Sequence, residues 1–340
     1  MMDSIKRKNR KAFLTMGLLA VLIVITLLVS LHTGVIQIGP LDVFRTMLGL
    51  GSERQELVLF DFRLPRLVIA MLVGAGLAVS GAILQGVSQN GLADPGILGI
   101  NAGAGFAVVL YIYFSQGAST SLGTLSIFIM PFMAMIGAAA AAFLIYVLAW
   151  KKGVTPVRLI LVGIGVNAAF GAVLIVFQLK MNPRDFMQAT IWLSGSIWGT
   201  NWKYVLAVLP WMLLLIPFAL YKARFLNVLS LGDQLATGLG TRVERERRIL
   251  LLVAVGLAGA SVAVAGSIAF LGLVAPHLTR RLIGPKHELL IPSSALIGAL
   301  LLLTADMIGR NLLAPSEIPV GIVVSALGAP YFIYLLMKTN

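Results

Sequence analysis

The sequence predicts an all-α polytopic membrane protein of about ten transmembrane helices, arranged as an inverted internal repeat within one transmembrane domain over residues 1–340. Three observations predict it. Hydrophobic residues make up 59% of the chain and charged residues only 11%, with a mean hydropathy of +0.97. A soluble domain needs more charge than that to cover its surface. The apolar residues gather into about ten runs, most near the roughly 20 residues that cross a bilayer. Small-residue motifs of the first half also return, in the same order, in the second.

The first run, Ala12 to Leu31, follows Lys6, Arg7, Lys8, Arg10 and Lys11. It is long and lacks a small-residue cleavage site, so it reads as a retained span rather than a signal peptide. Thr33 to Phe62 reads as an outer loop with a short helix near Leu41–Leu50. Span two then runs inward from Arg63 to about Gln85. A Gly/Pro-rich break, Gln89 to Gly99, leads into span three over about Ile97 to Phe114. Span four covers about Phe128 to Trp150 and ends at Lys151 and Lys152. Span five, about Val157 to Leu179, carries Gly163, Gly165, Asn167 and Gly171. Phe186 to Gly199 is too short and polar to cross, and reads as a partial helix at the outer surface. Span six covers about Tyr204 to Leu220, span seven Ile249 to Ala265, span eight Ile268 to Ile283, span nine Leu289 to Ile308 and span ten Val320 to Met337.

Charge supports this arrangement. Eight of the 26 Lys and Arg fall outside: Arg45, Arg54, Arg63, Arg66, Lys180, Arg184, Lys203 and Arg310. The other 18 fall in segments read as cytoplasmic, which places both termini inside. The net charge of +13 therefore reflects the positive-inside rule, not a nucleic-acid partner. The halves are 12–220 and 249–338, joined by a cytoplasmic loop over 221–248. Gly74-x2-Leu77-Ala78-Val79-Ser80-Gly81 matches Gly259-x2-Val262-Ala263-Val264-Ala265-Gly266. Gly99 answers Gly284, Pro131…Gly137-Ala138 answers Pro292…Gly298-Ala299, and Val162-Gly163-Ile164 answers Val320-Gly321-Ile322. Span two runs inward and span seven outward, the inverted symmetry common in transporters. Small-residue motifs also recur in any packed membrane helix, so the order of the matches carries the weight.

Within the loop, Ser230 and Asp233 have capping-box spacing, and Gly238 and Gly240 suit a helix end. Leu231, Leu235 and Leu239 share a face, while Ala236 and the glycines leave a bare surface. A docking helix and an ordinary interfacial helix both fit this pattern. Arg242, Arg245, Arg247 and Arg248 follow as positive-inside residues.

Catalytic chemistry finds no footing. The absence of Cys removes thiolate ligands and cysteine nucleophiles. His32, His277 and His287 lie in different segments without metal-ligand spacing. Asp42, Glu53, Glu56, Asp61, Asp185 and Glu317 lie in outer loops; Asp94 and Asp306 stand nearest the spans. Asp306 has Arg310 four residues on, the spacing of a helical ion pair. A proton-coupled carrier needs an unpaired mid-span carboxylate, and none stands out. No GxxxxGK[ST] phosphate loop is present, so any ATP would have to act on another subunit. Arg63, Arg66 and Arg310 at the outer span ends suit either interfacial anchoring or docking of a partner's carboxylates.

As an ordered set the motifs resemble the FecCD family, the permease subunits of type II ABC importers for iron–siderophores, haem and vitamin B12. The resemblance runs from about Ile38 to Met337. It rests on Arg63-Leu64-Pro65-Arg66, Ser80-Gly81-Ala82-Ile83-Leu84-Gln85, Leu92-Ala93-Asp94-Pro95-Gly96-Ile97-Leu98-Gly99 and Gly232-Asp233…Ala236…Leu239-Gly240. It continues in Phe270-Leu271-Gly272-Leu273-Val274-Ala275-Pro276-His277…Arg280, Ile297-Gly298-Ala299, Asp306, Arg310, Ile318-Pro319-Val320-Gly321 and Leu327-Gly328-Ala329-Pro330. Two positions depart from the family pattern: Gln89-Asn90-Gly91 where Arg-Asn-Pro is usual, and Gln234 where Glu is usual.

The resemblance implies a dimer with the pathway between two permease subunits, the second a copy or a paralogue. It implies that Ser230, Gly232, Asp233, Ala236, Leu239 and Gly240 form a coupling helix seated in one of two cytoplasmic ATPase subunits, which carry the ATP and Mg²⁺; this chain binds no cofactor. It implies that Arg63, Arg66 and Arg310 meet acidic residues of an extracytoplasmic substrate-binding protein. Span five resembles the pathway-lining helix, with Asn167 and Gln178 its polar residues; for Asn167 an interhelical hydrogen bond serves equally. The Lys151–Thr155 turn, with Val154 and Thr155, falls at the cytoplasmic gate. The cargo implied is an iron–siderophore complex of hydroxamate type, with haem, vitamin B12 and ion-coupled secondary transport as alternatives.

Overall fold

The computed structural model describes residues 2–34, 36–96, 99–115, 126–151 and 153–338. Ile97, Leu98 and Lys152, named above in the break and the gate turn, lie outside them. The helices are α1 Met2–His32, α2 Pro40–Met47, α3 Glu53–Glu56, α4 Leu64–Ser88, α5 Ile100–Phe114, α6 Ser126–Ala149 and α7 Pro156–Leu179. They continue as α8 Pro183–Leu193, α9 Trp202–Leu229, α10 Asp233–Gly238, α11 Val243–Ala265, α12 Leu271–Ile283, α13 His287–Asn311 and α14 Val320–Lys338. Among the described residues there is no β-strand, only an isolated bridge between Trp150 and Val154. Among the described residues eight helical segments are long and apolar enough to cross a membrane.

The core is built around α4, which packs against α13, α11, α12 and α9. Of its apolar stretch 78% is buried inside the chain, against 17% for α1 and for α7. Glycine permits the closest approaches. A methyl on Gly74 would strike the backbone of Gly298, and one on Gly81 the backbone of Gly272. Helices that meet backbone to backbone gain dispersion contacts and need no polar link, the packing expected where solvent supplies no hydrophobic drive. Positions matched in the repeat fall on corresponding helix pairs but not at equally close crossings, since Gly137 packs on Gly103 of α5 rather than on Gly259. Gly74 on α4 meets Gly298 and Ala299 on α13, while Gly259 on α11 meets Ala138 on α6.

Several boundaries move from the sequence reading. The outer loop ends in helix, because α3 runs through a π-helical segment, Leu57–Arg63, into α4. Pro65 has no N–H and its ring crowds the carbonyl four residues back, which the wider π turn accommodates. α9 continues nine residues past Leu220, carrying Lys222 to Glu246 on α11 at 2.8 Å. α11 likewise begins six residues before Ile249. The loop proper is thus 230–242, shorter than the 221–248 expected. The eighth span shrinks to the 13 residues of α12, about 20 Å of helix, and α5 has 15. These two short helices, packed within the bundle, separate the eight long ones from the expected ten. α8 is the short helix expected near Phe186.

Candidate functional site

The loop between α9 and α11 folds around α10, a six-residue helix. Its start differs from the expected capping box. Gly232, with φ of 99°, is the N-cap and offers no side chain, and the Ser230 hydroxyl donates to the Asn227 carbonyl at 2.7 Å. Its end follows expectation: Gly240 has φ of 80° and donates to Thr237 O at 2.9 Å, while Thr241 N donates to Ala236 O at 3.0 Å. That pair of bonds is a Schellman closure, which needs the left-handed residue glycine supplies. Leu231, Leu235 and Leu239 are all exposed, and Ala236 is fully buried beneath them. The exposed face here is therefore leucine, and Ala236 seats the helix on its own chain rather than leaving a bare surface. Gln234, one departure from the family pattern, is exposed; Gln89, the other, donates to Leu229 O at 3.0 Å and caps the end of α9.

Asp233 opens α10, where a carboxylate suits the positive end of the helix. It accepts a hydrogen bond from Arg247 at 2.7 Å. Arg247 is buried, unlike exposed Arg242, Arg245 and Arg248, because it shares the packed face of α11 with Glu246, Leu250 and Ala254. Positive-inside counting treats the four arginines alike; the spacing to Leu250 and Ala254 is the signal that separates Arg247. Its other terminal nitrogen donates to the carbonyl of Val154 at 2.7 Å.

Val154 thus sits buried under α11, and Thr155 beside it is the exposed N-cap of α7, without a side-chain capping bond. The neighbouring backbone is held too: Arg158 donates to Ala149 O at 3.2 Å, and Tyr146 donates to Glu244 at 3.1 Å. Along α7, Asn167 is exposed, Gln178 half-buried, and Gly165 and Gly171 face open space. The structure gives neither Asn167 nor Gln178 an interhelical hydrogen bond among the described residues.

Arg63, Arg66 and Arg310 do come together, where α4 begins and α13 ends, but as a buried network. Arg66 Nε donates to Asp306 Oδ1 at 2.8 Å and its NH2 to Glu317 at 2.8 Å. Arg310 meets the other Asp306 oxygen at 3.0 Å, the local pair expected, and donates to the Ser30 hydroxyl. Arg63 donates to the Leu31 and Ile36 carbonyls. Asp306 is fully buried and the Glu317 side chain 27% exposed. Burial demands such pairing, since removing one partner strands a desolvated charge. The expected surface patch is therefore partly satisfied from within.

Asp94, in the break between α4 and α5, is buried and accepts from Gly96 N at 2.8 Å. Burial pushes its carboxyl up to about 6, the Gly96 bond partly opposing. Among the described residues no group of three His, Asp or Glu side chains is placed to hold a metal.

The FecCD transport family matches residues 22–338. The chain belongs to that family. It is 63% identical over 335 residues to the iron(3+)-hydroxamate import system permease protein FhuG of Bacillus subtilis, covering 98% of this chain and all of that one. It is 40% identical over 327 residues to the hemin transport system permease protein HmuU of Yersinia pestis, covering 96% of each. Among solved structures it matches an inward-facing metal-chelate type ABC transporter with a TM-score of 0.81 and 32% identity, over 95% of this chain and 98% of that one. A PsaBC structure from Streptococcus pneumoniae, at TM-score 0.54 and 18% identity over 83% and 93%, shares the fold. With its eight apolar helices this makes the chain a multi-pass membrane protein.

Proposed function

We propose that this chain is the permease subunit of an ABC importer that carries a ferric hydroxamate siderophore inward across the cytoplasmic membrane. The observation that carries the reading is 63% identity, end to end, to a hydroxamate permease. Both termini and the 230–242 loop lie on the cytoplasmic side. α10 presents Leu231, Leu235 and Leu239 to a groove of a cytoplasmic ATPase subunit, and two such subunits hold the ATP and Mg²⁺. α7, with only 17% of its apolar stretch buried within the chain, faces the pathway and a second permease subunit, with Asn167 and Gln178 toward the cargo. ATP binding draws the ATPase subunits together, α10 moves with them, and the Val154–Thr155 turn opens or closes the inner end as packed helices shift.

The arginine cluster is the docking face for an extracytoplasmic binding protein. Three guanidinium groups stand against two internal carboxylates, Asp306 and Glu317. The remaining cationic excess suits a partner's acid, and half-open Glu317 is the carboxylate a partner displaces most cheaply. The binding protein supplies the affinity for the chelate, so the permease needs no strong ligands of its own.

Cells lacking the chain and complemented cells, given labelled iron as hydroxamate, catecholate, citrate and haem, with cobalamin alongside, test the cargo. Loss confined to the hydroxamate, restored by complementation, is expected. Loss confined to haem would move the assignment to the class of the 40% relative; unimpaired uptake of every chelate would contradict the proposal.

A further inference from the structure

We propose that Arg247 is the mechanical link between the ATPase-docking helix and the cytoplasmic gate. The inference rests on the coupling and gate readings above and adds the residue that joins them.

The geometry is specific. One terminal nitrogen of Arg247 meets Asp233, the first residue of α10, at 2.7 Å; the other meets the carbonyl of Val154, one residue before the N-cap of α7, at 2.7 Å. The guanidinium therefore bridges two segments remote in sequence from each other. Its side chain is 4% exposed, whereas that of Asp233 is 47% exposed. The end at the gate is locked and the end at α10 is accessible to whatever moves that helix. A planar guanidinium keeps its two terminal nitrogens at fixed separation, so a shift of Asp233 is passed to Val154 rather than absorbed by side-chain rotation. Lysine, a single point charge on a flexible stem, holds either partner but not both in that geometry.

Among the described residues no parallel polar route of comparable directness joins α10 to the turn. Glu244 lies 3.6 Å from Arg247 and accepts from Tyr146, so it braces the end of α6 against α11 without touching α10. The leucines of α10 face outward. Ala236 seats α10 on its own chain but offers only a methyl. Among the described residues Asp233–Arg247–Val154 is the polar path from the docking surface to the start of α7.

The complete importer, reconstituted in proteoliposomes with its ATPase and binding protein, gives the test. The absence of cysteine allows a spin-label pair at Val157 and Leu252, both exposed, to report movement of the α7 start against α11. Arg247→Gln and Arg247→Lys are expected to lower substrate moved per ATP by about tenfold, the scale of one charged hydrogen bond, while the complex still assembles and hydrolyses ATP. The nucleotide-dependent distance change seen in the unsubstituted chain should be lost with them. Asp233→Asn, at a half-exposed position and with an amide oxygen still able to accept from Arg247, should lower the ratio in the same direction and leave the Val154 bond in place, with thermal unfolding in detergent checking that the fold survives.

Normal substrate moved per ATP in Arg247→Gln and Asp233→Asn, with an intact distance change, would overturn the proposal. Failure of the underlying readings looks different. If the label pair does not respond to nucleotide in the unsubstituted chain, the gate reading falls and the link with it. If Leu235→Asp leaves ATPase association intact, the docking reading falls.

Discussion

Asp94 and Asp306 are both buried carboxylates, and their surroundings give them opposite tasks. Among the described residues Asp94 has only the Gly96 N–H for a partner, and burial pushes it up to about 6 from an ordinary value of 3.8. Below both values the folded and unfolded chains bind this proton alike; as pH rises through 6 the folded chain must carry a buried charge. Stability therefore falls between about pH 4 and 6, by on the order of 3 kcal/mol. Asp94→Asn should flatten that fall in thermal unfolding followed in detergent, and an unchanged pH profile would remove Asp94 from the account. Asp306 instead has Arg66 and Arg310 on its two oxygens. Asp306→Ala should cost about 3–5 kcal/mol, as a broken buried pair does, and Glu317→Gln, at a partly exposed site, about 1 kcal/mol or less. Equal losses at the two positions would contradict the network. The Asp306–Arg310 half was legible because four residues along a helix is one turn. Arg66 is 240 positions from Asp306, a distance no local periodicity spans.

At the scale of elements, α10 was visible as three leucines four apart closed by glycines, yet its orientation was not. Six residues make fewer than two turns, so tertiary contact, not amphipathic pattern, decides which side is buried. Ala236 went inward and the leucines stayed out. A charge at the centre of that apolar face tests docking more cleanly than any change at Gly240, whose φ of 80° would strain a side chain there. Leu235→Asp, with open surface around it, should leave the permease in the membrane at normal level and abolish co-purification of the ATPase together with uptake. Retained co-purification would move the docking surface elsewhere. The other elements differ from the sequence expectation mostly at their ends. α9 and α11 extend past the apolar runs because charges such as Lys222 and Glu246 pair across the helices, which hydropathy alone cannot register.

For the whole molecule, composition fixed the class and ordered motifs fixed the family before any contact was known. Gly74 on Gly298 and Gly259 beside Ala138 put repeat-related small residues on corresponding helix pairs, but only the first pair meets backbone to backbone. What stayed hidden was the contact of Arg247 with Val154 and Asp233, since a buried arginine reads in sequence like its exposed neighbours. The central claim, that movement of substrate is driven by ATP on a separate subunit, separates this chain from an ion-coupled carrier. The most direct measurement is uptake of a ferric hydroxamate into proteoliposomes containing the permease with ATPase and binding protein, with ATP or imposed ion gradients as alternative energy sources. ATP alone should drive accumulation, and omission of the ATPase subunit should abolish it. Accumulation driven by a proton or sodium gradient without ATPase would contradict the account.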